Sequence, residues 1–151
     1  MNLKEFIRSI PDYPKKGILF RDITTLIKDE NAFTETINQI VNRSKGIKFE
    51  KIAAIESRGF VFASAISYIL KKPFIMLRKK NKLPADVHSV DFELEYGAAT
   101  IEVHKDSIEK SDRILIIDDL IATGGTAEAA AKLVSISGGE VAGFIFVINL
   151  F

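Results

Sequence analysis

The chain has 151 residues, 47% of them hydrophobic, enough to bury a sizeable core in one domain spanning 1–151 and to exclude global disorder. Its 21 Lys plus Arg against 20 Asp plus Glu leave a formal charge of +1, so neither nucleic acid nor a membrane is indicated as a partner of the whole molecule. With no cysteine and only two histidines, His88 and His104, which read as surface residues, disulfides, thiolate metal sites and a histidine-rich zinc centre are all excluded. Met1-Asn2-Leu3-Lys4-Glu5 does not open an apolar export signal, and the longest apolar run, Val141 to Ile148, falls short of the roughly 20 residues that cross a bilayer. The expectation is a cytoplasmic protein.

Leu3, Phe6, Ile7 and Ile10 fall at i, i+3, i+4 and i+7 and predict a short amphipathic helix ended by Pro11. A proline-rich loop to Gly17 follows, then an extended stretch from Gly17 to Ile23. Phe33, Ile37, Ile40 and Val41 set a second helix, for which Asp29 or Asn31 is the available cap. From there strands and helices alternate: strand 51–55, helix 59–70, strand 73–77, a polar loop to Ser89, and a hairpin through Glu95-Tyr96-Gly97 to Val103. Strand 113–117, helix 126–137 and strand 141–148 complete the chain. Apolar runs such as Ile114-Leu115-Ile116-Ile117 suit strands buried on both faces, so the fold class is α/β with a mostly parallel sheet flanked by helices. In such sheets ligands bind beyond the carboxyl ends of the strands, and the loops after Ile55, Leu77 and Ile117 are expected to gather on one rim.

The densest chemical signal is Ile114-Leu115-Ile116-Ile117-Asp118-Asp119-Leu120-Ile121-Ala122-Thr123-Gly124-Gly125-Thr126, running from a buried strand through a glycine loop into a helix. Backbone amides at a helix start converge on an anion, so Ala122, Thr123, Gly124, Gly125 and Thr126 form a candidate cradle for one phosphate. The Walker lysine and the G-x-G-x-x-G pattern are both missing, which weakens an NTPase or dinucleotide reading. Asp118 and Asp119 would repel a phosphate unless they serve another part of the ligand. They can accept hydrogen bonds from the cis hydroxyls of a ribose 5-phosphate or hold a hydrated divalent cation, or they can merely solubilise a strand end.

This stretch resembles the phosphoribosyl pyrophosphate (PRPP) signature of the type I phosphoribosyltransferase family. Pro11-Asp12-Tyr13-Pro14, Gly17-Ile18-Leu19-Phe20-Arg21-Asp22-Ile23, Glu56-Ser57-Arg58-Gly59-Phe60, Arg78-Lys79-Lys80-Asn81-Lys82-Leu83-Pro84 and Leu94-Glu95-Tyr96-Gly97 are similar, in order and spacing, to the adenine-using branch of that family. The resemblance covers nearly the whole chain. It implies a small N-terminal hood over 1–30, a PRPP-binding core over 31–151, and a flexible basic flap at about 79–96. It also implies transfer of the phosphoribosyl group from PRPP to adenine, giving AMP and pyrophosphate in purine salvage, with Mg2+, in a homodimer. The alternatives are another purine, hypoxanthine or xanthine, and a PRPP-sensing regulatory module without turnover.

By the same resemblance, Glu56, Ser57 and Arg58 belong to a pyrophosphate loop, Glu56 standing where aspartate is frequent. Read alone, Ser57 is a helix cap and Arg58 a solvated charge. The cations Arg78, Lys79 and Lys82, otherwise an ordinary charged run, become a flap that neutralises the leaving group. Arg58 and Glu95 are the candidate catalytic residues, Glu95 as the acid/base group for the purine N9 proton, although Leu94 to Gly97 reads equally as a plain turn. Leu19, Phe20, Arg21 and Leu150 would bind the base, Phe20 by stacking. Metal contact is expected at Asp118 and Asp119 through water rather than directly. Enzymes similar to this one continue past Leu150-Phe151 with a further strand, and without it an exposed sheet edge, lower stability or altered base binding is expected.

Overall fold

The computed structural model describes residues 1–94 and 97–150. The chain divides into two compact units, Met1–Arg43 and Ser44–Phe151.

In the first unit Asn2 accepts a hydrogen bond from the Lys4 amide and starts a single 3-10 turn, Leu3–Phe6. The expected helix through Ile10 does not form. Arg8–Pro11 is instead a strand, β1, antiparallel to β2, Leu19–Asp22, with Arg8 opposite Asp22 and Ile10 opposite Phe20. The reason is electrostatic as well as steric: the Asp22 carboxylate takes Arg8 Nη2 at 2.6 Å and the Thr24 amide at 2.9 Å. The Thr24 amide first, then Arg8, hold Asp22 down to about 2, below the usual carboxylate range. The same carboxylate thereby leads into α1, Thr24–Ile27. In α2, Glu30–Ser44, the expected apolar face is present, with Ile37 and Ile40 buried, and Asp29 rather than Asn31 supplies the cap by accepting the Ala32 amide at 2.8 Å.

The second unit is built on a six-stranded sheet ordered β5-β6-β4-β3-β7-β8. Its strands are β3 (Lys51–Ile55), β4 (Phe74–Lys79), β5 (Val87–Leu94), β6 (Gly97–His104), β7 (Arg113–Ile121) and β8 (Glu140–Asn149). The four strands β4, β3, β7 and β8 run parallel; β5 and β6 form an antiparallel hairpin on the β4 edge. Helix α3, Arg58–Leu70, connects β3 to β4 and contacts β3 and β7, while α4, Gly125–Ile136, connects β7 to β8. Ala129, Ala130, Leu133 and Val134 of α4 join Ala53, Ile55, Ile75, Leu77, Ile114 and Ile116 in one core. Ile52, Ala54, Leu115 and Ile117, the alternate residues, are fully buried too, as expected for strands covered on both faces.

Register puts Ile55 beside Leu77 and Ala54 beside Ile117, so the carboxyl ends of β3, β4 and β7 share one rim. Three bounds in this unit differ from expectation by two residues or more. β7 does not stop at Ile117 but runs to Ile121, because β8 continues beside it, Asp118 opposite Phe146 and Ile121 opposite Asn149. Strand β4 reaches Lys79, and the loop expected to last until Ser89 gives way to β5 at Val87. His88 and His104 are half-buried rather than surface residues, and His104 Nε2 accepts the Ala85 amide at 3.2 Å. No helix among the described residues is long and apolar enough to cross a membrane.

Candidate active site

Asp118 and Asp119 lie inside β7 where it passes the end of β3, and both are buried, 8% and 5% exposed. Asp118 accepts the Asp119 amide at 2.8 Å, and Asp119 accepts Arg58 Nε at 2.5 Å. Burial, followed by the neighbouring Asp119 charge, pushes Asp118 up to about 8, against the opposing pull of the Asp119 amide and Arg58. The environment thus favours the protonated form of Asp118. Arg58 is half exposed, with its Nε on Asp119.

Arg58 is placed by the start of α3, which is drawn tightly against β7. A Cβ on Gly59 would meet Asp118 Oδ1 at 2.9 Å and the Ile117 carbonyl oxygen at 3.2 Å, so only glycine lets the helix approach this closely. The residues just before it, Glu56 and Ser57, are joined by a cis peptide bond. Glu56 reaches across to β4: its carboxylate takes the Lys79 amide at 2.5 Å and Arg78 Nη2 at 3.3 Å. Burial raises the Glu56 pKa, but these bonds and the two positive charges outweigh it, and the net direction is down. The Glu56 side chain thus holds the basic turn. Arg78 Nε is buried without a partner.

On the other side of the acidic pair, Gly124 at φ 89° turns the chain into α4, a left-handed geometry that glycine adopts without strain. Thr123 Oγ1 accepts the Gly125 amide at 3.5 Å, and the first amides of α4 have no partner within the helix. Ala122, Thr123, Gly124, Gly125 and Thr126 line a cavity of about 280 Å³ together with Asp118, Leu120 and Ile121. A second cavity, about 310 Å³, is lined by Glu56, Ser57, Arg58, Lys79 and Asp119. The two share Asp118, Leu94, Leu120 and Thr126.

The rim therefore brings together the phosphate loop, the acidic pair, the Glu56–Arg58 loop and Lys79. Lys82 closes a turn by donating its amide to the Lys79 carbonyl at 3.3 Å, and its side chain is exposed. Leu150 donates its amide to the Ile121 carbonyl at 2.9 Å, beside the end of β7. Leu19, Phe20 and Arg21 belong to the first unit, where Phe20 meets Tyr13 edge to face at 5.1 Å and Arg21 Nη1 bonds Ser9 Oγ at 2.6 Å. Glu95 lies outside the described residues. The sequence sets a flap at about 79–96 and Glu95 beside the site but singles out none of the strand residues Phe92, Glu93 and Thr100. Glu93 and Leu94 line the first cavity, Phe92 and Thr100 the second, and the Glu93 carbonyl comes within 3.5 Å of where a Gly125 Cβ would stand. Alternation of Val90, Phe92 and Leu94 with Asp91 and Glu93 signals a strand, but nothing in it tells which loop the strand rests on.

A mostly parallel sheet with a glycine loop after an acidic strand, and a basic turn across from it, is an arrangement suited to phosphorylated sugars. The phosphoribosyl transferase domain family matches residues 24–149, and the chain belongs to that family. Within it, the chain is 80% identical over 151 residues to adenine phosphoribosyltransferase of Pelagibacter ubique, covering all of this chain and 86% of the relative. Among solved structures it is similar to adenine phosphoribosyltransferase of Thermoanaerobacter pseudethanolicus, with TM-score 0.92, 42% identity and 97% of each chain covered. It is also similar to the Saccharomyces cerevisiae enzyme complexed with an imino-altritol bisphosphate and adenine, with TM-score 0.90, 32% identity, and 98% and 86% coverage.

Proposed function

We propose that this chain is an enzyme of purine salvage that transfers the 5-phosphoribosyl group of PRPP to adenine, giving AMP and pyrophosphate. The observation that carries this reading is the pair of adjoining cavities sharing Asp118 and Thr126: one is lined by the glycine loop that opens α4, the other by Arg58, Lys79 and Asp119. A ribose with phosphate at one end and pyrophosphate at the other matches that order. The S. cerevisiae relative, solved with adenine, supports the choice of base.

In this reading Ala122 to Thr126 hold the 5-phosphate through amides and the helix dipole. Asp118 and Asp119 take the ribose hydroxyls. As the C1–O bond to pyrophosphate loosens, positive charge grows on the ribose ring and negative charge on the leaving group. The carboxylate pair favours the former; Ser57, Arg58, Arg78, Lys79 and Lys82 favour the latter, with Glu56 orienting the turn that carries the basic side chains. Glu95 takes the N9 proton of adenine and Leu150 offers the purine an apolar surface. In the first unit, Phe20 is suited to stacking on a purine, and Leu19 backbone groups and Arg21 to reading its edge.

No group of three or more His, Asp or Glu among the described residues could hold a metal. Asp118 and Asp119 would hold a Mg2+ through water. When bound, the ion supplies further neutralisation of the leaving group. We place a second copy of the chain on the outer face of α3, where Val61, Tyr68 and Ile69 are exposed; residues 59–70 contain no charged side chain, so the face suits its own copy in a homodimer. A polyanionic donor does not cross a bilayer unaided, which supports a cytoplasmic location.

A pyrophosphate-release assay with PRPP, Mg2+ and each of adenine, hypoxanthine, xanthine and guanine tests the reading. Release with adenine alone is expected. Release with a 6-oxopurine instead would reassign the base, and calorimetric PRPP binding with no release on any base would make the chain a sensor.

A further inference from the structure

The buried acidic side chains among the described residues are Asp22, Asp118, Asp119 and Glu102. The first is spent on Arg8 and the next two on the candidate site, whereas Glu102 lines neither cavity. It sits on β6 between buried Ile101 and Val103, opposite Arg78 of β4 and Ser89 of β5. A carboxylate in such a place carries a large desolvation cost unless its oxygens are engaged. They are: Oε2 accepts Ser89 Oγ at 2.6 Å, and Oε1 accepts the Asn81 amide at 2.9 Å.

Asn81 is the left-handed residue, φ 66°, of the tight turn closed by the Lys82 amide on the Lys79 carbonyl. Its amide points away from any strand ladder and needs an outside acceptor. Glu56 takes the Lys79 amide of the same turn from the opposite side. Two carboxylates thus hold the basic turn by two of its amides, leaving its cationic side chains for other use. Glu56 ties it to the loop before α3; Glu102, through Ser89, ties it to the hairpin.

Resting on the reading of the second cavity as the pyrophosphate site, we infer that Glu102 is a positioning residue: it clamps the Lys79–Lys82 turn to the first strand of the hairpin, so that the basic side chains and the hairpin take up the pyrophosphate end as one body. Glu102 touches no reacting atom; it acts through the turn.

The test uses Glu102→Gln and Ser89→Ala in the whole protein, with pyrophosphate and ribose 5-phosphate as separate probes in calorimetry, PRPP kinetics, and amide hydrogen exchange at Asn81. Glu102→Gln is expected to weaken pyrophosphate and raise KM for PRPP by about tenfold, the scale of one charge-assisted hydrogen bond. Ribose 5-phosphate affinity should stay within about twofold, since its cradle lies elsewhere. Exchange at Asn81 should quicken while the β3 and β7 amides stay protected. Ser89→Ala should shift the same quantities less, and not at all when added to Glu102→Gln. Equal loss of both probes, an unchanged pyrophosphate affinity, or unchanged exchange at Asn81 would overturn the clamp. Should Glu102→Gln fail to fold, Ser89→Ala alone decides by the ratio of the two probe affinities together with Asn81 exchange. Failure of the wild type to release pyrophosphate with any base would count against the transfer reading, while Asn81 exchange would still judge the clamp.

Discussion

Gly59→Ala adds one methyl group at the closest contact of the site. The new Cβ would stand 2.9 Å from Asp118 Oδ1, 3.2 Å from the Ile117 carbonyl oxygen and 3.4 Å from Asp118 Cα. Rotating Asp118 relieves only the first of these. The other two belong to the backbone of β7, which is held between β3 and β8, so the start of α3 must lift. Overpacking of this kind costs about 1–3 kcal/mol, and alanine's helix preference over glycine returns about 1 kcal/mol. The net loss of about 0–2 kcal/mol lowers Tm by no more than about 8 °C in a chain of this size. Function should suffer far more. Arg58 precedes the altered residue and is bonded to Asp119, so lifting α3 moves the guanidinium and the Glu56–Ser57 segment before it together. A displacement approaching 1 Å is expected to cost about 100-fold in kcat/KM. Pyrophosphate release with adenine and PRPP, alongside thermal unfolding, measures both; Gly46→Ala is the control, because nothing lies within 4 Å of its added Cβ. A folded Gly59→Ala protein with kcat/KM within about threefold of wild type would refute the reasoning.

Asp119→Asn should weaken PRPP binding about tenfold or more in calorimetry with the fold intact, as loss of a charged hydrogen-bond acceptor does; unchanged affinity would remove Asp119 from the ribose site. Arg58→Ala should slow transfer by about 10² or more per folded molecule, and activity equal to wild type would take Arg58 out of the mechanism. Asp118 makes stability depend on pH. With a folded value of about 8 against about 4 unfolded, the folded chain binds the extra proton across that window. The stability this proton lends is complete below about pH 4 and lost as pH rises through about 8. Tm of the unliganded wild type should fall from pH 5 to 9 more steeply than that of Asp118→Asn, and parallel profiles would show the burial argument to be wrong.

Much of the fold was legible because the signals were local. The β3 to α3 and β7 to α4 units follow from apolar runs bounded by Ser57 and by Gly124-Gly125, and helices and strands there fall within a few residues of expectation. Failures came where distant partners decide. Leu3, Phe6, Ile7 and Ile10 have helical spacing, yet Arg8 is drawn to Asp22 fourteen positions away, and the strand wins over the period. The extension of β7 past Asp118 depends on the length of β8, which no property of residues 118–121 announces. In the site, residue types carried the cradle, the acidic pair and Arg58. Glu56 read as part of a pyrophosphate loop, but nothing local announced that its carboxylate reaches across to Arg78 and Lys79; Glu102 gave no signal at all, since a lone Glu in an alternating strand reads as solvent-facing.

The two cavities that meet at Asp118 and Thr126 make the proposed substrate a bivalent ligand. In the proposed reading each end has its own cavity, and the ribose between them acts as a short tether that raises the effective concentration of one end once the other is bound. Cleaving the C1–O bond cuts that tether. A single tightly held molecule becomes two weakly held ones in the same step, so the reaction loosens the enzyme's grip on its own products, and pyrophosphate can leave its cavity without waiting for the nucleotide in the other.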